Sequence, residues 1–99
     1  MDQFVAIIRP HRENFVDTMT SDEEAIMEKH FRYLKEILAN GRLILAGPCL
    51  TGEFGLIIFE AENWEAARRM IEQDPSVTAN VMKAELHPYR VSLLAGKDN

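Results

Sequence analysis

The sequence predicts an α+β domain of ferredoxin-like type: an antiparallel four-stranded sheet with two helices on one face. Three observations carry this expectation. The segments read in the order strand, helix, strand, strand, helix, strand. Right-handed crossovers between strands then place both helices on the same side of the sheet. Three of the strands are apolar on both faces, as expected of a sheet that is covered twice.

Residues 3–9 hold an unbroken apolar run from Phe4 to Ile8, which favours a strand with both faces covered. Pro10 cannot donate to a ladder and is expected to end it. Residues 10–20 show no sustained period, yet they hold Phe15, Val16 and Met19. This connection exceeds the usual length of about 2–6 residues. It reads either as a folded-over lid bordering a site or as a surface excursion with apolar anchors. Ser21-Asp22-Glu23-Glu24 reads as a capping box, Ser21 accepting from the amide three residues on and Glu24 reaching back. The acidic residues suit the positive end of the helix dipole. Ile26, His30, Leu34 and Ile37 then share one stripe, with Met27, Phe31 and Leu38 beside it and Lys29, Arg32 and Lys35 pointing away. That is an amphipathic helix of about five turns, stopped by Asn40-Gly41.

Residues 42–46 form the second strand, closed by Gly47-Pro48, and Thr51 to Gly55 supply a turn. Residues 55–61 form the third, so the two make a hairpin with a long connection. Asn63 is an N-cap for a helix over residues 64–73, whose inner face is Ala67, Met70 and Ile71, with Asp74 one turn further along. Residues 75–80 suit a short extra turn. In the last strand, residues 81–91, Met82, Ala84 and Leu86 alternate with Lys83, Glu85 and His87. Residues after Leu94 read as a frayed tail.

The chain of 99 residues is expected to form a single domain over residues 1–99. A chain of this length buries only about two-thirds of its unfolded surface. Two helices cover one sheet face, so the other would expose more apolar surface than a monomer normally tolerates. A homodimer through that sheet face is the expected remedy. The net charge of −5 argues against a nucleic-acid partner. No segment approaches the ~20 apolar residues of a membrane span, and the N-terminus lacks the pattern of a signal peptide. Cys49, the single cysteine, excludes an intrachain disulfide framework and makes a cytoplasmic setting the default. It reads as a small packed or strand-end residue.

The catalytic candidates are His30 and Asp74. A histidine titrates in the range useful for proton transfer near neutral pH, and it needs a carboxylate to orient its ring. Asp74 lies at a helix C-terminus, where the dipole favours cations, and on an inner face, where an unpaired charge is costly. Asp74-Pro75 also reads as an N-cap followed by proline at the first helical position. Arg9, His11 and Arg12 could supply positive charge for an anionic ligand, and Arg12 and Phe15 are taken as substrate-binding candidates. His11, His30 and His87 lack metal-ligand spacing, so no metal is expected. No GxSxG, phosphate loop or dinucleotide fingerprint is present, and no cofactor is expected.

The ordered set His30-Phe-Arg-Tyr-Leu34, Gly41-Arg-Leu-Ile-Leu-Ala-Gly-Pro48, Gly55-Leu-Ile-Ile, Ala66-Ala67-Arg68 and Asp74-Pro75 resembles the YciI-like (YCII-related domain) family over nearly the whole chain. Arg9-Pro-His-Arg12, Phe15, Thr18-Met-Thr20 and Glu24-Ala-Ile-Met27 resemble a subgroup with an extended first loop. The resemblance implies a ferredoxin-like dimeric α+β barrel with a His–Asp active site, which falls here on His30 and Asp74. One characterised branch is a dehydrochlorinase acting on a chlorinated hydroxyquinol without metal or organic cofactor; that substrate is not carried over. Where the family commonly has Ala-Gly, this chain reads Ala79-Asn80. Asn tolerates the left-handed backbone, and its amide makes Asn80 a further substrate-binding candidate.

Three readings follow. The first is a cofactor-independent enzyme of hydrolase or lyase type on a small aromatic or anionic molecule, with His30 as base or acid, Asp74 orienting it and Arg12 binding charge. The second is a non-catalytic small-molecule-binding or protein-interaction module of the same fold. The third makes His30 and Asp74 a core hydrogen bond and a helix cap, with no cavity between them.

Overall fold

A computed structural model of the chain describes residues 1–96. It contains β1 (Asp2–Pro10), α1 (Ser21–Ala39), β2 (Leu43–Pro48), β3 (Gly55–Ala61), α2 (Trp64–Glu72), α3 (Pro75–Thr78) and β4 (Met82–Tyr89). The strands form one sheet in the order β2-β3-β1-β4, every neighbouring pair antiparallel. This is the ferredoxin-like arrangement. Residues 97–99, part of the expected tail, lie outside the described residues.

The central strand β1 alternates strictly. Phe4, Ala6 and Ile8 are buried, and with Ile57, Phe59 and Ala61 of β3 they meet Leu34 and Ile37 of α1 and Ala67 and Ile71 of α2 in one core. Phe4 stands opposite Phe59 in the ladder, with ring centroids 5.9 Å apart. Burying one such side chain is worth roughly 1.5–3 kcal/mol, so this layer outweighs any single cap or surface ion pair in fixing the register.

The ends of the elements depart from the sequence expectation in instructive ways. Strand β1 ends at Pro10, as expected, but Pro10 is itself the last paired residue, opposite Met82. It forfeits only its own donor, and the next amide, His11, resumes the bonding to the Val81 carbonyl at 3.0 Å. Strand β4 ends two residues earlier than expected, at Tyr89. Phe31 and Leu38 are 59% and 57% exposed, so the buried stripe of α1 is the narrower set Glu23, His30, Leu34 and Ile37.

The capping box is shifted by one residue. Thr20, not Ser21, is the N-cap; its hydroxyl accepts from the Glu23 amide at 3.1 Å, and Glu23 accepts from the Thr20 amide at 2.9 Å. Thr20…Glu23 and Ser21…Glu24 both fit the template, and a distant residue decides between them. The Arg12 guanidinium donates to both oxygens of Glu23 and also to the Thr18 carbonyl, at 2.7 Å. The first loop is thereby stapled to the start of α1. Within it Asn14 takes a positive φ of 56°, the Thr18 hydroxyl donates to the Asn14 carbonyl at 2.7 Å, and Phe15 is driven into the core at 2% exposure.

In β2 the register slips between Leu43 and Leu45: Leu43 pairs with Phe59, while Ala46, three residues on, pairs with Ile57, two residues back. This β-bulge, one extra residue in the strand, turns Leu45 to the outer face and Ala46 and Pro48 to the helix side.

The Arg12 hydrogen bonds, the Thr20 amide and His11 hold the Glu23 carboxyl well below the ordinary carboxylate range. Since native Glu23 releases its proton more readily than the unfolded chain does (pKa about 4.3), its pairing contributes fully above about pH 5 and is withdrawn as pH falls toward the native value. The urea midpoint of the native chain is expected to fall more steeply between about pH 5 and 3 than that of Glu23→Gln; parallel profiles would show that the staple adds nothing. Arg12→Ala is expected to keep the fold and accelerate amide exchange at Phe15 and Thr18.

Candidate functional site

The amphipathic period of α1 turns His30 inward, and the break between α2 and α3 delivers Asp74 to meet it. The break follows from local chemistry. Asp74 has φ −62° and ψ 125°, an extended conformation favoured before proline. Pro75 then starts α3 with its φ already helical, and the Asp74 carboxylate caps that helix by accepting from the Ser76 amide at 2.9 Å. Capping and site-building use the same side chain.

Asp74 has no solvent exposure. A buried carboxylate is costly unless its oxygens are satisfied, and here they are. Oδ1 accepts from the Ser76 amide and the Ser76 hydroxyl, each at 2.9 Å. His30 Nδ1 lies 2.7 Å from Oδ2 and 2.9 Å from Oδ1. The carboxylate has only acceptors to offer, so Nδ1 carries the proton and donates. In the neutral ring the other nitrogen, Nε2, then keeps its lone pair. Among the described residues Nε2 has no hydrogen-bond partner, and no buried polar side-chain atom lacks one. Nε2 is therefore accessible.

It opens onto a cavity of about 370 Å³ beneath the first loop, between α1 and the end of the sheet. Phe15, Met27, Leu34, Pro48, Phe54 and Met82 contribute to its walls. His30 bears the single polar side chain among the lining residues. The bulge of β2 shapes one wall, presenting Ala46, Gly47 and Pro48 rather than Leu45. On the rim, Gly52 has φ +79°, and a Cβ there would stand 2.9 Å from Val16, so glycine lets the β2–β3 turn lie against the loop.

A tyrosine braces the pair. Tyr33 donates to the Met70 carbonyl at 2.6 Å, tying α1 to α2. Burial first, then the negative charges of Asp74 and Glu36, push its phenol up, so it remains a donor.

The structure thus brings His30, Asp74 and Phe15 together at one site. Arg12 is held by Glu23 and Thr18 and does not line the cavity; it stacks on the Phe15 ring at 5.1 Å and so acts on the cavity wall from behind. Asn80 adopts the positive φ, 59°, that its sequence position anticipates, but it is exposed on the α3–β4 turn and away from the cavity walls. His11 pairs with Glu23 and His87 with Glu85. Cys49, just past β2, has its thiol drawn down by a hydrogen bond with the Thr51 hydroxyl at 3.2 Å, and it too is absent from the walls.

Sequence reading missed Ser76 and Glu23. Ser76 had a signal: the second residue after an Asp cap supplies the capped amide, and a serine there can donate its hydroxyl as well. Glu23 had none beyond the second, overlapping capping box.

No curated sequence relative matches the chain. Among solved structures, 5-chloro-2-hydroxyhydroquinone dehydrochlorinase from Burkholderia phenoliruptrix, in complex with 2,5-dihydroxybenzoquinone, aligns with a TM-score of 0.67 at 20% identity, over 88% of this chain and 93% of that one. At that identity the likeness is one of fold. The model of the YCII-related domain matches residues 3–88, almost the whole of the sheet and its helices. The chain belongs to the YCII-related domain family.

Proposed function

We propose that the protein is a cofactor-independent enzyme that removes a proton from a small organic molecule bound beneath the first loop. One observation carries the reading: Asp74 holds the Nδ1 proton of His30 while Nε2 faces the cavity. In that tautomer Nε2 takes a proton from a substrate C–H or O–H. Asp74 steadies the imidazolium that forms, and Ser76 positions Asp74. The electron pair released on the substrate expels a leaving group, and the proton on Nε2 passes to that group or to solvent, restoring the base. The fold shared with a dehydrochlorinase supports a reaction of this lyase type. Hydrolysis fits less well, since no lining side chain besides His30 offers a hydrogen bond to orient water or steady an oxyanion.

In a screen of small aromatic halides and hydroxy compounds, any turnover found is expected to fall about 10²–10⁴-fold in His30→Ala, the usual contribution of a general base. Asp74→Asn is expected to lose the Nδ1–H tautomer of His30, read from its ¹⁵N shifts, and most of the turnover. Ser76→Ala is expected to lower kcat and perturb the same shifts while the ring stays in place. Binding and turnover unchanged in both His30→Ala and Asp74→Asn would remove the proposal. Binding that persists without any His30-dependent turnover would favour a module that only holds its ligand.

The active form is a homodimer joined through the outer sheet face. Val5, Ile7, Leu56 and Ile58 lie on that face, opposite to the helices. Ile58→Lys is expected to convert a dimer into a monomer in light scattering, with the helix-side core intact by circular dichroism; a monomeric native chain would overturn the assembly.

A further inference from the structure

We infer that the cavity selects uncharged, largely apolar molecules of one or two rings that carry a single acidic O–H or C–H, and that it excludes anions. This rests on the reading of His30 as proton acceptor and goes beyond it by fixing the charge of the ligand. Arg9, His11 and Arg12 cluster at the end of β1 and the start of the first loop, and the sequence alone suggests an anion site there. The geometry points the other way. Arg9 donates to Glu85 at 2.8 Å. Arg12 and His11 both pair with Glu23. No lysine or arginine lines the cavity, whose walls are aliphatic, aromatic and thioether groups around His30.

A carboxylate entering this space would lose its hydration with no cation to replace it, which is costly. In the form that acts as a base, His30 offers this space a lone pair on Nε2 and not a cation. A neutral ring loses little on entry and gains the burial of its surface. One O–H or C–H directed at Nε2 satisfies the single polar group in the wall. Size sets the ring number. A cavity of about 150 Å³ already accommodates benzene, so 370 Å³ leaves room for a second ring or several substituents. Met19, Met27 and Met82 on the walls are unbranched and polarizable, and such side chains adapt to flat rings.

The test uses four probes of one shape on the native chain at neutral pH: p-cresol, toluene, 4-methylbenzoate and 4-methylbenzylamine. Binding is followed by ligand-observed NMR and by the ¹⁵N shifts of His30. The expected order places p-cresol first, toluene second, and both charged probes more than tenfold weaker than p-cresol, with p-cresol moving Nε2. In His30→Ala the preference for p-cresol over toluene is expected to vanish while toluene still binds, which also shows that the variant is folded. Binding of 4-methylbenzoate as tight as that of p-cresol would overturn the ligand class and leave the His30–Asp74 base untouched. A p-cresol preference that survives in His30→Ala would instead overturn the role given to Nε2 and leave the apolar selection standing. Failure of all four to bind would overturn the inference as a whole.

Discussion

A carboxylate with no exposure to solvent must find donors inside the protein or not be charged, and Asp74 finds three. Two come from Ser76 and one from His30. Meeting that demand links the middle of α1 to the junction of α2 and α3, 44 residues further along the chain. Removing one member of such a buried pair typically costs about 3–5 kcal/mol, a large share of what a domain of this size can spare. The same contacts fix which imidazole nitrogen carries the proton. Stability and chemical competence are therefore not separable at this point in the fold. The cap expected at Asp74 and its pairing with His30 are therefore one arrangement: the same carboxylate receives the Ser76 amide and the His30 ring.

The wall opposite His30 depends on a second carboxylate. Glu23 closes the capping box of α1 and receives Arg12 from the loop. The loop path this sets seats Phe15 in the core. A helix cap thus becomes the anchor of a cavity roof. The basic residues near the loop are used up in these internal pairs, and the chamber they border stays uncharged.

The element order, the shared face of the helices, and the roles of Asn63, Asn40 and Asp74 were legible because each rests on local chemistry that the sequence states directly: hydrophobic period, capping residue, proline. His30 and Asp74 were legible as candidates for the same reason, helped by the resemblance of the whole chain to its family. What was not legible depended on partners distant in sequence. The capping register turned on Arg12, eleven residues before Glu23. The assignment of Arg12 to a ligand failed to foresee that same partner. Asn80 was judged rightly for its backbone, which is a local property, whereas the location of its side chain relative to the cavity is not a local property. Ser76 lay between these cases, with its amide predictable from the cap and its hydroxyl contact with the carboxylate not considered.

The bulge in β2 has a consequence for how such a chamber can arise. Along a strand, inside and outside alternate with parity, so one additional residue exchanges the two sets for everything that follows. Here the exchange sends Leu45 outward and brings a run of small or rigid residues, Ala46, Gly47 and Pro48, to the interior side or its edge. The hollow beside His30 is thus written in the count of residues rather than in their kind. Paired straight on from Leu43 without that slip, the same residues would turn Leu45 inward and Ala46 outward, and a large side chain would stand where this chain has a room.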